Sequence, residues 1–260
     1  MVWSLFKVEI KRHFPLLGSF ILIDLVLSFM VLAEVNSFYN IQFMVSSGIW
    51  FLVVIYIFID IYRDFYIGDN SLIHMLPMRL ITVFIVKLMV FSLYLILLWS
   101  TNLVFQLFWD NGIYFVRIQG STNSLEGLHF FIIPRIVSIF SGIILIGAAI
   151  SMGKLFKNIY ISSVSIFLVI SSVTYGILSL MKFNLIGQGN VLSTIAINAY
   201  GVFKQYAGLV TYYVVSEVDH VDIVKTIHWN NVWVNMVVGV IGLVLIYRIT
   251  ESKKYEIYGK

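Results

Sequence analysis

Long apolar runs separated by short polar segments dominate the chain. A helix needs about 20 mostly apolar residues to cross about 30 Å of hydrocarbon. Six runs meet that requirement, over Phe14–Val35, Phe43–Ile61, Leu88–Phe108, Phe130–Met152, Ile159–Met181 and Trp229–Tyr247. The pattern therefore predicts an all-α fold, a polytopic membrane protein with six transmembrane helices in a single domain over residues 1–260.

Two segments outside these runs also have helical spacing. Residues 1–13 set apolar positions against Lys7, Lys11 and Arg12, which predicts a basic amphipathic helix at the inner interface. Residues 183–228 contain a stretch, Asn190–Val215, that is apolar enough to resemble a seventh span but carries Lys204 in its middle. We predict a re-entrant or amphipathic segment there, on the outer face.

The distribution of positive charge predicts the orientation. With the N-terminus in the cytoplasm, twelve of the seventeen Lys and Arg residues lie on the inner side and five on the outer side. This asymmetry follows the positive-inside rule, which places both termini in the cytoplasm. The net charge of +4 is then a consequence of topology, and no nucleic-acid partner is expected.

Composition excludes several classes of protein. The chain is 60% hydrophobic and 12% charged, about half the charge density of a soluble domain. A soluble enzyme or nucleic-acid binder of this composition would lack enough polar residues to cover its surface. The chain has no Cys, which excludes disulfides, thiol nucleophiles and Cys-ligated zinc or iron–sulfur sites.

Motifs for catalysis or nucleotide binding are absent from the sequence. Gly153-Lys154 is followed by Leu155, so no P-loop exists, and there is no HExxH or GxSxG. The five His residues are scattered along the chain, which favours polar roles at interfaces over a metal or catalytic site. We therefore expect no enzymatic activity, no metal and no cofactor in this chain.

One acidic residue is predicted to lie deep in the membrane. Asp24 is near the middle of the first run, where a carboxylate costs about 2.5–3.5 kcal/mol on insertion scales. It is a candidate for a lining residue of the translocation path or a coupling carboxylate. The alternative is a structural hydrogen bond to another helix or a position in a water-filled vestibule. Lys87 and Arg135 are near run ends and are expected to extend to the interface.

The cytoplasmic segment over residues 62–83 is the most informative part of the sequence. Charged residues alternate with aromatic ones up to Gly68, and a short apolar helix, Leu72–Leu76, is then ended by Pro77. Such a helix beneath the membrane either lies flat as an interfacial connector or docks in a groove of a soluble partner.

This pattern resembles the permease subunit of bacterial type-2 ABC exporters, in the short form without a fused ATPase. That family has an N-terminal interfacial helix, six spans, cytoplasmic termini and re-entrant outer helices between spans five and six. After its second span come charged residues, Gly, a short coupling helix and Leu-Pro with a basic residue. Here these are Tyr62-Arg63-Asp64, Gly68, Leu72–Leu76, Leu76-Pro77 and Arg79. The long polar stretch Trp109–Leu128 departs from relatives that have a tight turn there.

The resemblance implies the partners and their contact residues. Two separate ABC ATPase subunits would bind ATP and Mg²⁺, and a second permease copy or a related permease would complete the transporter in the cytoplasmic membrane of a bacterium. The residues implied for ATPase coupling are Arg63, Asp64, Gly68, Leu72, Met75, Leu76, Pro77, Lys7 and Lys11.

The cargo and two rival functions stay open. An aromatic-rich bundle with few charges suits an amphipathic or hydrophobic cargo, and small permeases of this kind often serve export of, or immunity to, antimicrobial or cytolytic peptides. The chain could instead be a non-transporting accessory or immunity protein. An intramembrane enzyme is a weaker alternative, since it would need several polar residues converging at one depth.

Overall fold

The computed structural model describes most of the helical part of the chain. The described residues are 2–32, 38–67, 79–108, 116–118, 129–156, 158–182, 213–215 and 218–251. Gly68, Leu72, Met75, Leu76 and Pro77, which the sequence predicts as coupling residues, lie outside these ranges.

Six long α-helices make up almost all of the described structure. They are α1 (Val2–Leu32), α2 (Phe38–Tyr62), α3 (Leu80–Phe108), α4 (His129–Gly153), α5 (Ile159–Lys182) and α6 (Val218–Thr250). A π-helical turn, Arg63–Ile67, continues directly from α2. The prediction of an all-α fold with apolar helices that can span a membrane is confirmed.

Five segments of the described residues are long and apolar enough to cross a membrane. They are Val2–Met30, Leu80–Thr101, Arg135–Gly153, Ile159–Ile177 and Val232–Thr250. Each overlaps one of the predicted runs. The remaining predicted run, Phe43–Ile61, lies within α2, which is not among these five segments, so six spans stay a prediction.

Side-chain contacts define how the helices run relative to one another. Arg12 and Asp24 of α1 contact Asp60 and Ser46 of α2, respectively, so α1 and α2 are antiparallel. Tyr94 of α3 donates to the carbonyl of Ile10, and Thr101 bonds to Asp24, so α1 and α3 are parallel. These three helices form one group.

The other three helices form a second group that packs against the first. Ser141 of α4 donates to Asn235 of α6. Further along both helices in the chain direction, Gly147 faces Ile246, so α4 and α6 are parallel. Gly147 also faces Phe84 of α3, which joins the two groups. Consecutive helices therefore alternate in direction, and the π-turn, Arg79, Lys154 and Glu251 all lie at one end of the bundle.

The prediction of a separate interfacial helix over residues 1–13 is corrected by α1. A single helix runs from Val2 to Leu32 and passes through Pro15. Proline removes one backbone hydrogen bond of a helix, but Arg12 and His13 fix the preceding turn to α2. Leu5 packs beside Val83 and Val86 of α3, so this part of α1 belongs to the bundle.

Short strands connect the loops at the opposite end. β1 (Val116–Ile118) pairs in parallel with β2 (Tyr213–Val215), an element that the sequence pattern did not indicate. The re-entrant segment predicted over 183–228 lies largely outside the described residues, and its last eleven residues belong to α6, which begins at Val218. Polar residues such as Asp219 and His220 are compatible with a helix but fall outside any apolar run.

Candidate functional site

A buried group of charged side chains joins α1, α2 and α3 near the end that carries the π-turn. It consists of Glu9, Arg12, His13, Asp60, Asp64 and Lys87, and we call it the ionic cluster. All of these residues are less than 10% exposed except Arg12, whose side chain is 30% exposed. The cluster therefore lies inside the bundle, with Arg12 at its edge.

Lys87 pairs with both acids at the base of α2, and Arg12 pairs with one of them. The ammonium group of Lys87 pairs with both Asp60 and Asp64. The guanidinium of Arg12 bonds to Oδ1 of Asp60 at 3.1 Å and lies 3.6 Å from Glu9. A buried charge is tolerated only when it is paired and hydrogen-bonded. Each buried carboxylate of the cluster therefore depends on its cationic partner.

His13 lies between two carboxylates of the cluster. Its Nε2 is 2.9 Å from Oε2 of Glu9 and 3.7 Å from Oδ2 of Asp60, while its Nδ1 is 2.7 Å from the hydroxyl of Tyr56. The ring of Phe91 covers it with a centroid distance of 4.8 Å. The ring is thus held in one orientation by α1, α2 and α3 together.

Glu9, His13 and Asp60 also meet the distance requirement for a metal site. Their ligand atoms lie within 4.8 Å of one another, and carboxylate and imidazole are ligands of divalent metals. Arg12 and Lys87 already pair with the same carboxylates, and a divalent cation would have to displace them or overcome their repulsion. The geometry favours a set of ion pairs over a metal centre.

The expectation that Lys87 and Arg135 extend to the membrane surface is wrong. Lys87 is 1% exposed and its ammonium group points to α2. Arg135 is 3% exposed, with its guanidinium 5.1 Å from the ring centroid of Trp50. A position near the end of an apolar run indicates how deep a residue lies in the membrane but not which face of the helix it occupies. Both residues are on faces that pack against another helix.

Asp24 forms a second polar site, closer to the opposite end of the same three helices. It is fully buried, accepts a hydrogen bond from Ser46 of α2 and lies 2.6 Å from the hydroxyl of Thr101 of α3. On α1 it is eleven residues from His13, which corresponds to about 16 Å. This arrangement is a hydrogen-bonded junction of three helices, and a place in the translocation path stays a prediction.

The π-turn is attached to α4 and α5. The backbone carbonyl of Phe65 accepts a hydrogen bond from Lys154, just beyond α4, and the hydroxyl of Tyr66 lies 2.6 Å from that of Ser162 in α5. Burial raises the pKa of the Tyr66 phenol and lowers the pKa of the Lys154 ammonium group. π-turns inside helices are frequent at functional sites, and this one ends directly before residues 68–78.

The remaining predicted contact residues occupy different environments. Arg63 is exposed in the π-turn, whereas Asp64 of the same turn is 6% exposed and pairs with Lys87. Lys7 and Lys11 are exposed on the first turns of α1, and the ammonium of Lys7 is 5.5 Å from the ring centroid of Trp3. The exposed residues are therefore candidates for a partner contact, whereas the buried one holds the helices together.

Sequence reasoning missed the ionic cluster, although part of its signal was present. Glu9, Arg12 and His13 are spaced three and four residues apart, so they share one face of a helix. Asp60 and Lys87 sit at opposite ends of a single connection, where antiparallel helices bring them to one level.

Comparison of the chain with profiles of known protein families, with curated proteins and with solved structures gives no match.

Proposed function

We propose that this protein is the membrane-spanning permease of an ABC exporter whose ATPase subunits are separate chains. The proposal combines the apolar helices, the sequence pattern over residues 62–83 and the anchoring of the base of α2. ATP and Mg²⁺ would be bound by the ATPase subunits, and two permease copies, or this chain with a related permease, would form the membrane part.

The observation that carries the proposal is the attachment of the segment directly before residues 68–78. Asp60 and Asp64 tie it to α1 and α3 through Arg12 and Lys87. Phe65 and Tyr66 tie it to Lys154 beyond α4 and to Ser162 of α5. A displacement applied to residues 68–78 would therefore be transmitted to four other helices, which is what a coupling element requires.

The roles of the individual residues follow from this arrangement. Leu72, Met75, Leu76 and Pro77, with exposed Arg63, would dock into the ATPase, while buried Asp64 would hold the docking segment to α3. Lys7 and Lys11 would supply a second contact, since they are exposed at the same end of the bundle. ATP binding draws the two ATPase subunits together, and the permease helices follow through these attachments.

The cargo that suits this membrane part is amphipathic or hydrophobic. Large apolar side chains are exposed along α5 and α6, among them Phe167, Leu168, Tyr175, Trp233 and Tyr247. These surfaces would meet lipid, a second permease or a cargo that partitions into the membrane. A membrane-active peptide, exported as a product or removed as a threat, has this chemistry.

A matched pair of substitutions tests the docking role. The tagged chain is purified from its native membrane, and the ABC ATPase that co-purifies is identified and quantified. We expect Leu76→Asp to abolish co-purification and Leu76→Met to retain it, with both variants eluting as wild type in size-exclusion chromatography. Equal recovery of ATPase with Leu76→Asp, or no ABC ATPase with the wild-type chain, would contradict the proposal.

A further inference from the structure

The helix α1 is longer than the hydrocarbon layer that it would cross. Its 31 residues extend over about 46 Å, whereas the hydrocarbon is about 30 Å thick. About ten residues therefore project beyond the hydrocarbon. Lys7, Lys11 and Arg12 lie in the first turns of α1, and the residues after Pro15 are mostly apolar. The first turns are therefore expected at the level of the lipid headgroups.

One exposed stripe runs along α1 from this level into the hydrocarbon. Its members are three or four residues apart and so share one face of the helix. We call them the α1 stripe: Trp3, Lys7, Lys11, Phe14, Gly18 and Leu22. Trp3, Phe14 and Leu22 are 63–65% exposed, and both lysines are exposed. The ring of Phe14 lies against Gly18, where an added Cβ would be 3.3 Å from it. The stripe thus has a basic, aromatic part followed by an apolar part.

The charge that α1 exposes is entirely positive. Its two acidic residues, Glu9 and Asp24, are buried. Lys7 and Lys11 are one helical turn apart, which corresponds to about 6 Å. The ammonium group of Lys7 is 5.5 Å from the ring centroid of Trp3, and an indole ring is suited to the headgroup level of a membrane. Two ammonium groups at this spacing can bind one phosphate group between them, so the stripe favours an anionic ligand.

The length of the apolar part matches one leaflet of a bilayer. Leu22 is eleven residues from Lys11, which corresponds to about 16 Å, and half of the hydrocarbon thickness is about 15 Å. A phospholipid with its phosphate at the lysines would therefore place its acyl chains along Phe14, Gly18 and Leu22. A free phosphate ion would contact the lysines alone. Charge and length together favour a phospholipid with a net negative headgroup.

We propose that the α1 stripe binds an anionic phospholipid. Its phosphate lies between Lys7 and Lys11, Trp3 lies beside the headgroup, and the acyl chains lie along Phe14 and Leu22. The lipid belongs to the leaflet at the end of the bundle that carries the π-turn. This inference does not rest on the proposed function, because the stripe is part of this chain alone. Lipid binding is therefore measured without an ATPase, so that the two proposals succeed or fail separately.

Native mass spectrometry of the purified full-length chain counts the lipids that it binds. We expect one tightly bound phosphatidylglycerol and no phosphatidylcholine at the same concentration. Lys7→Gln with Lys11→Gln should weaken phosphatidylglycerol binding by about 25-fold, since each lysine near an anionic surface contributes about fivefold. Glycerol phosphate, which has no acyl chains, should not compete.

A matched control removes the same charge at the same end of the bundle. Arg79→Gln with Arg248→Gln changes two exposed cations outside the stripe, and this variant should bind phosphatidylglycerol as the wild type does. Equal losses in the two double variants, undiminished binding without the lysines, or equal binding of phosphatidylcholine would overturn the proposal. Competition by glycerol phosphate would overturn the assignment to a lipid.

The depth of the stripe provides a second test that does not depend on affinity. The chain has no Cys, so Lys11→Cys and Leu22→Cys each introduce one thiol for a fluorescent probe in lipid nanodiscs. We expect quenchers on lipid headgroups to act most strongly on the probe at residue 11. Quenchers at the ends of the acyl chains should act most strongly on the probe at residue 22. A probe at residue 11 that only a water-soluble quencher reaches would overturn the proposal.

Discussion

The ammonium group of Lys87 in α3 forms a buried ion pair with the carboxylate of Asp60 in α2. Both residues lie near the ends of their helices, where side chains of this kind usually extend to water. Here they turn toward each other, and with Asp64 they fix the start of the π-turn to α3. The base of α2 is therefore attached by charge as well as by apolar packing.

Replacing Lys87 by Met tests the energetic importance of this attachment. The substitution keeps an unbranched side chain, one atom shorter, but leaves Asp60 and Asp64 buried with less positive charge. Removing one partner of a buried ion pair typically costs about 3–5 kcal/mol, and we expect a loss of that size in the free energy of unfolding. Denaturant titration in mixed micelles measures it. Lys11→Met, at an exposed position of α1, is the control and should change stability by less than about 1 kcal/mol. Equal effects of the two substitutions would contradict the assignment.

Asp24 is predicted to act as a hydrogen-bonded junction. Asp24→Ala would leave the buried hydroxyl of Ser46, and that of Thr101 beside it, without their carboxylate partner, at a cost of about 1–3 kcal/mol. Asp24→Asn keeps an oxygen acceptor and should lose less. The same denaturant titration compares them, and a larger loss for Asn than for Ala would argue against the junction. An effect on transport without one on stability would favour a place in the translocation path.

Two glycines of α4 provide a matched pair for the contact between the helix groups. A Cβ at Gly147 would collide with the ring of Phe84 and lie 3.2 Å from Ile246, whereas a Cβ at Gly142 would meet no atom within 4 Å. We expect Gly147→Ala to destabilise the protein by about 1–3 kcal/mol, because the helices must separate or Phe84 must change conformation. Gly142→Ala should be neutral or stabilising by up to about 1 kcal/mol. Similar losses at both positions would show that the groups do not pack as described.

The hydroxyls of Tyr66 and Ser162 are predicted to link the π-turn to α5. Tyr66→Phe should cost about 1 kcal/mol, and a double-mutant cycle with Ser162→Ala should show a coupling energy of similar size. Burial raises the pKa of Tyr66, so its stabilising contribution is complete below about pH 10 and is lost as the pH rises through its folded-state value. Tyr66→Phe should therefore weaken the loss of stability in alkaline solution. A coupling energy near zero would mean that the two hydroxyls do not interact.

Hydropathy was sufficient to predict the elements that lipid alone determines. The predicted run Ile159–Met181 ends within one residue of α5, and the predicted third run ends at Phe108, as α3 does. The starts of α3 and α6 were placed eight and eleven residues too late, respectively. The extra turns of α6 carry polar residues, which an apolar window does not detect. Those of α3 are mostly apolar, and the predicted run began after Lys87 because that residue was expected at the interface.

The ionic cluster shows what a linear pattern leaves out. Depth could be estimated for Asp60 and Lys87, but the side of the helix that each occupies depends on how α1, α2 and α3 pack. Because α1 continues through Pro15 in line with the bundle, His13 meets α2, and the segment expected to be an interfacial helix becomes part of the core.

Cross-linking from residue 75 tests the central claim most directly. The chain contains no Cys, so Met75→Cys introduces a single reactive thiol into the predicted docking helix, and Tyr175→Cys places one on the exposed face of α5 as a control. Each variant is treated in native membranes with a short thiol-reactive cross-linker, and the products are identified by mass spectrometry. We predict that Met75→Cys forms a covalent adduct with an ABC ATPase and that Tyr175→Cys does not. No ATPase adduct at residue 75, or equal adducts at both positions, would contradict the account.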